Sequence, residues 1–481
     1  MTRRHRFASL PALVWLAASL ALAGLPVLAA RGSDRADSDL TPEARPLDGP
    51  RAAKMAELAA AAERVRGLKL KSQPPWTLRN QRELYRFFLR TVQAELETRQ
   101  VELGTKLYAA FGFWKPDFDL LGAELEIRAG AVRAFYSSNE GTFTLVASSG
   151  KVSRNPAMAM QEDAEVVHEY THALQDQNLD LGRLGLAAGN DRSQAARALV
   201  EGDAVATMCS YLVGRMSARE QPPPLDQLAP YLNIIRANMA AMLQEPPFNK
   251  YPPIVGTSLV FSYTGGSHFA EAVLKHGGWA ALNRCYQVPP LSTAQIIHPE
   301  KYLRPVPEDP VEIEMPEVVR PLLPGTQMVD TDALGELEIT VLLSGFVPQA
   351  EAREAAKGWG GDRYAALERT AGPGKGEVVL AWLTAWDTES DAGEFFQAYA
   401  RALDKKSGSA RAAVGPPPDI TFFEWRASGA RREAQLERRG SAVLSVEGAD
   451  AAEARRLSEI FWALKRQTPK PRQRSAGEQR N

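Results

Sequence analysis

The chain has 481 residues, 44% of them apolar, enough for roughly two to four packed domains and too much for disorder as the main state. Its 57 Lys and Arg against 58 Asp and Glu leave a formal net charge of −1, which argues against a phosphate-neutralising surface and so against a nucleic-acid partner. Two cysteines, Cys209 and Cys285, are too few for a disulfide framework or a thiolate zinc site, and they form one disulfide or none.

In chain order, Met1 to Arg6 is basic through Arg3, Arg4 and Arg6, and Phe7 to Leu28 is apolar and uncharged. Val27-Leu28-Ala29 places small residues where a signal peptidase reads, so residues 1–29 are expected to be a cleaved secretory signal peptide rather than a retained anchor. No other stretch is apolar enough to span a bilayer. The mature protein is therefore expected to be secreted or periplasmic, without stable membrane insertion. Residues 30–51, rich in Asp, Arg, Pro and Ser, read as a flexible leader.

Helical spacing follows at Met55 to Val65 and at Leu84 to Leu103, where Leu84, Phe87, Phe88, Val92 and Leu96 share a face. Two β-rich runs, Val132 to Tyr136 and Thr142 to Ala147, flank hairpin chemistry at residues 137–141. Further helices are predicted at Ala157 to Asp176, Gln194 to Met216 and Gly256 to Lys275. Pro305 to Pro324 has no period, and 305–333 reads as a Pro-rich linker. Beyond it, strand-like runs (Glu338 to Leu343, Glu377 to Trp382, Ala442 to Val446) alternate with helical ones (Ala350 to Ala356, Asp391 to Leu403, Ala451 to Leu464). Gly358 to Tyr364 reads as a tight turn in which Trp359 packs and Asp362 caps, and Trp382, Trp386, Trp425 and Trp462 read as core. Residues 467–481 are expected to be a disordered tail.

The motif that carries chemistry is His168-Glu169-Tyr170-Thr171-His172, a His-Glu-x-x-His inside a predicted helix. Residues i and i+4 of a helix project from one face about 5–6 Å apart, which lets two imidazoles bind one ion. Imidazole suits zinc, and a catalytic zinc needs three protein ligands and a water whose pKa it lowers toward about 7. Glu169, beside the first histidine, is placed to take that water's proton as general base. Glu201, in Leu199-Val200-Glu201-Gly202-Asp203-Ala204 on the next long helix, is the candidate third ligand. The bland readings are a solvated helix face for the motif and a helix N-terminal carboxylate for Glu201. The apolar flanks Val166-Val167 and Ala173-Leu174 speak for a buried helix instead.

This arrangement resembles the gluzincins, His-Glu-x-x-His metallopeptidases with a ligand glutamate on a downstream helix, and its Glu-Gly-x-Ala form is similar to the peptidase-MA-like subset. The aspartate that follows the ligand glutamate in thermolysin-type members is replaced by Val205, so Asp203 or Asp176 is the candidate to orient a histidine from behind. The resemblance also implies an edge strand just before the active-site helix that holds an extended peptide, and Thr142 to Ala147 would be that strand. Wider features resemble an uncharacterised family of secreted bacterial and archaeal zincins, among them His172 to Gln177, Tyr263-Thr264-Gly265-Gly266, Gly277-Gly278-Trp279, His298-Pro299-Glu300 and Gly358 to Arg363.

A tetrahedral intermediate of peptide hydrolysis needs a further donor, for which His298, held in a loop before Pro299, and Tyr263, opening a glycine-marked turn, are the favoured candidates ahead of His268 and His276. The expected fold is α+β: a mainly helical zincin-like metallopeptidase domain over 52–304 with a small β-hairpin or sheet, then a smaller α+β domain over 334–466. The expected function is a secreted zinc-dependent metallopeptidase with one catalytic Zn2+ and a protein or peptide substrate. A non-catalytic zincin-fold binding protein, and a zinc hydrolase of a non-peptide amide such as a cell-wall bond, stay open as alternatives.

Overall fold

A computed structural model describes residues 47, 49–80, 83–87, 89, 98–131, 134–138, 140–146, 156–186, 190–217, 223–315, 321–372, 374–408, 411–413, 420–426 and 433–468. The proposed signal peptide and most of the leader lie outside them. The chain is α+β. Its helical part begins with α1 (Gly49–Arg66), β1 (Trp76–Arg79), α2 (Thr98–Phe111), α3 (Leu120–Ala131), β2 (Ala134–Ser137) and β3 (Thr142–Val146). It continues through α4 (Pro156–Asn178), α5 (Asp191–Met216), α6 (Leu225–Met242), α7 (Pro253–Gln287), α8 (Thr293–Ile297) and α9 (Pro299–Leu303). No helix among the described residues is long and apolar enough to cross a membrane.

The hairpin forms as its alternation predicts, but its second strand is not an edge. β3 lies between β1, which it pairs in parallel, and β2, which it pairs antiparallel. Among the described residues the sheet edge facing the site belongs to β2, whose Tyr136 N–H points away from β3 and reaches α4. The sheet carries α4 on aromatic contacts: Trp76 stacks on Phe143 at 4.5 Å, and Tyr170 of α4 meets Phe143 edge-on at 4.7 Å.

Helices α5 and α7 pack along one another, and glycine decides how closely. A Cβ on Gly202 of α5 would overlap the Gly266 carbonyl of α7, and a Cβ on Gly266 would overlap the Ala198 carbonyl of α5. Tyr263-Thr264-Gly265-Gly266 is therefore a backbone-to-backbone helix contact rather than a turn. Helix α7 does break at Gly277 and Gly278, so His276 ends its first segment as its position suggests. Cys209 and Cys285 are both buried thiols and are not joined by a disulfide.

The segment expected as a linker carries two strands, β4 (Glu312–Ile313) and β5 (Thr326–Asp330). After them come α10 (Gly335–Ser344), α11 (Gln349–Ala356), β6 (Trp359–Arg369), β7 (Val378–Trp386), α12 (Glu389–Ser407), β8 (Arg411–Ala413), β9 (Ile420–Arg426), β10 (Glu433–Arg439), β11 (Ala442–Ala449), α13 (Ala451–Trp462) and β12 (Arg466–Gln467). Residues 338–343, expected as a strand, are helical within α10. A short apolar run fits either period, and here one face of the run packs on Phe395, Ala392 and their neighbours as a helix. Of Gly358 to Tyr364 only Gly358 sits in a turn, at φ 79°, and Trp359 onward is the start of β6, with a register shift between Trp359 and Gly361. Of the proposed tail, Gln467 pairs with Glu312 across β12 and β4.

The large sheet is antiparallel throughout, in the order β5-β6-β7-β11-β10-β9-β8. Alternate residues sort its two faces. Tyr364, Leu380, Trp382 and Trp425 join Phe395, Phe396 and Tyr399 of α12, whereas Leu367, Val379, Leu383 and Leu444 join Leu457 and Phe461 of α13. Leu107 and Phe111 of α2 belong to the first of these cores, with the Phe111 ring 5.4 Å from that of Trp382. An element from the N-terminal half thus closes the core of the C-terminal half.

Candidate metal centre

His168, Glu169 and His172 lie on α4, where Val167, Ala173 and Leu174 bury the flanks, and Glu201 lies in the middle of α5, not at its N-terminus. Antiparallel packing of α5 on α4 aims Glu201 at the histidine pair. His168 Nε2 and His172 Nε2 stand 3.1 Å apart, and Glu201 Oε2 is 3.3 Å from the first and 3.5 Å from the second. Three corners of a tetrahedron with arms of about 2.0–2.1 Å are separated by about 3.3–3.4 Å, so this triangle has the size of three ligands to one zinc-sized ion.

The electrostatics suit a cation. Both Glu201 oxygens, Glu169 Oε1 and His168 Nδ1 are buried without a hydrogen-bond partner among the described residues, a costly state for a protein interior. Burial opposes the Glu201 charge, but the adjoining His172 and His168 more than offset that and hold its pKa below the usual carboxylate range. Burial lowers the His168 pKa and so favours the neutral, ligating imidazole. Burial also pulls on His172, yet the Glu201 charge beside it wins and raises it to about 9.

Glu169 has a different environment. Its carboxylate and the two imidazoles fall within 4.8 Å of one another, which makes it a second candidate ligand by distance alone. However, Glu169 Oε2 accepts the Tyr136 N–H at 2.8 Å, which ties it to β2, while Oε1 stays open. Burial pushes its pKa well above the ordinary carboxyl value. Glu201 fits the ligand role and Glu169 the base role.

Tyr263, from α7, lies against the site: its ring is stacked 6.1 Å from that of His168, and it is buried. Its place there follows from the Gly202–Gly266 contact one turn along. The structure does not bring His298 into the cluster. Its Nε2 meets Glu336 Oε1 at 2.8 Å and its Nδ1 lies 3.7 Å from Glu300, so its partners are on α10 and α9. Neither proposed orienting carboxylate bonds a histidine. Asp176 accepts the Tyr136 hydroxyl at 2.8 Å, and Asp203 is taken by Arg66 and Tyr286. His172 Nδ1 instead meets Gln175 Oε1 at 2.9 Å, one helical turn along α4. Carboxylates are the usual partners of such a ring nitrogen, so sequence points past Gln175, although its i+3 spacing from His172 is a usable signal.

Residues 321–458 match a family described as a domain of unknown function (DUF8575). That match spans the large sheet with α10 to most of α13 and leaves the histidine helix outside. No curated protein and no solved structure matches the chain.

Proposed function

We propose that the protein is a secreted zinc-dependent metallopeptidase of gluzincin type, with His168, His172 and Glu201 as ligands and Glu169 as general base. The observation that carries this reading is the convergence of two imidazole nitrogens and one carboxylate oxygen from two helices, beside a second carboxylate that keeps one oxygen open. A purely structural zinc has no use for such a base and fills all four positions with protein ligands.

A zinc ion held there supplies Lewis acidity toward a carbonyl oxygen and lowers the pKa of water. Glu169 Oε1 takes the proton of the attacking water while the Tyr136 N–H fixes Oε2, and the carboxyl then hands the proton to the leaving amine. The peptide lies along that edge of β2, which takes the place of the β3 edge expected from the sequence. Tyr263 is the better placed of the two oxyanion candidates, since His298 is engaged with Glu336.

The test is Glu169→Gln, assayed for zinc content and for hydrolysis of a mixed peptide library. The variant is expected to keep its zinc and to lose hydrolysis by several orders of magnitude. A variant as active as the wild type would overturn the mechanism. A zinc-loaded wild type that cleaves no peptide but releases amines from cell-wall material would move the same chemistry to a non-peptide amide.

A further inference from the structure

The buried network behind His172 has a direction that its ends dictate. Arg66, almost fully buried, donates Nε to Asp203 Oδ1 at 2.6 Å and Nη2 to Asp203 Oδ2 at 3.0 Å. Trp279 lies 5.0 Å from the guanidinium, and Asn283 Oδ1 accepts a second bond from Nη2 at 2.6 Å. The Asp203 carboxylate so held is an acceptor, and the Tyr286 hydroxyl donates to its Oδ2 at 2.8 Å. With its hydrogen committed there, Tyr286 Oη can only accept, and Gln175 Nε2 donates to it at 3.0 Å.

A second anchor agrees. Gln175 Nε2 also lies 2.9 Å from the Val200 carbonyl oxygen, which has no hydrogen to give. A flipped amide would set oxygen against oxygen at both places, so the amide has one orientation. Its Oε1 therefore faces His172, and the 2.9 Å contact requires the proton to sit on His172 Nδ1. In the neutral ring, the form that ligates a metal, the Nε2 lone pair then faces His168 Nε2 and Glu201.

We propose that Gln175 is a positioning residue, anchored by Val200 and by the Tyr286–Asp203–Arg66 chain, that locks His172 in the one tautomer able to ligate through Nε2. The inference rests on the metal-site reading above. It assigns to a neutral amide the part that a carboxylate or carbonyl plays behind many metal-bound histidines. It also gives Asp203 a role at one remove, through Tyr286 and Gln175.

The experiment is a zinc titration against a chromophoric chelator on the wild type, Gln175→Leu and Gln175→Glu, with thermal melts of the metal-free proteins alongside. Gln175→Leu is expected to bind zinc about 10–100-fold more weakly than the wild type. Gln175→Glu, which keeps an acceptor for the Nδ1 proton, is expected to bind at least about tenfold more tightly than Gln175→Leu. A merely structural role would weaken the two alike, and that result, or wild-type affinity in Gln175→Leu, overturns the proposal. Should Gln175→Leu not fold, nitrogen-15 NMR of the zinc-loaded wild type decides, since six histidines leave an assignable spectrum. A protonated His172 Nδ1 supports the assignment, and a zinc-bound Nδ1 contradicts it. A wild type that binds no zinc fails the site reading and takes this inference with it, whereas a zinc-binding wild type matched by Gln175→Leu fails this inference alone.

Discussion

Glu201 and Gln175 hold opposite nitrogens of one imidazole, and they differ in how visible they are from the chain alone. Glu201 is legible because a His-Glu-x-x-His helix demands a third donor and few helices offer an acid at a usable distance. Gln175 is not, because only the placement of Val200 and Tyr286 tells which way its amide points. Asp362 shows the same limit. It was expected to cap a turn, and it does act as a cap, but for α10: Leu334 N and Gly335 N donate to it, as do the indole nitrogens of Trp359 and Trp382. Asp362→Ala would leave four buried N–H donors without their acceptor, which is expected to cost about 3–5 kcal/mol, read as a lower denaturant midpoint. A loss below about 1 kcal/mol would mean that water or a neighbour replaces the carboxylate.

Among elements, helix periodicity located α4, α5 and α12 from the chain, whereas pairing partners were invisible. β3 reads as a strand, yet its central position depends on β1, a distant four-residue run that alternation does not single out. The contact between α5 and α7 is likewise written in two glycines that look like turn signals in isolation. Gly266→Ala is expected to drive these helices apart, destabilising the protein by about 1–3 kcal/mol and weakening metal binding as Glu201 withdraws. Gly393→Ala, in open space on α12, is expected instead to stabilise by about 0.5–1 kcal/mol. Denaturant titrations of the two variants check both signs, and equal effects would contradict the packing argument.

The whole molecule is joined at a cluster of acids, Asp191 buried and Glu338 half-buried. Asp191, at the start of α5, accepts the Thr293 N–H at 3.1 Å and the Thr293 hydroxyl, and that hydroxyl oxygen accepts Leu337 N of α10 at 3.2 Å. Glu338 accepts the Tyr108 hydroxyl at 2.9 Å. Burial raises Asp191 to about 8 against the Thr293 bonds, with Asp362 and Glu336 adding to it, and burial raises Glu338 to about 8. Each carboxyl holds its proton in the folded chain and loses it near pH 4 in the unfolded one, so the folded state binds more protons between pH about 4 and 8. Stability from these groups is therefore full below about pH 4 and declines as pH rises toward 8. Asp191→Asn is expected to flatten that decline by up to about 1.4 kcal/mol per pH unit, measured as unfolding free energy against pH, and parallel curves would contradict it.

The α+β character and the strand-like runs inside β7 and β11 are open to sequence reading, but β6 and the seam are not. Proline content and the lack of a period suggest a boundary near residues 305–333, whereas Phe111 crosses that boundary to pack on Trp382. The central claim concerns a metal held between two helices, and its most direct test is elemental analysis of the purified protein beside Glu201→Ala. The account predicts about one zinc per chain in the wild type and a sharp fall in the variant. A folded wild type without metal, or a variant that keeps its full complement, would contradict it.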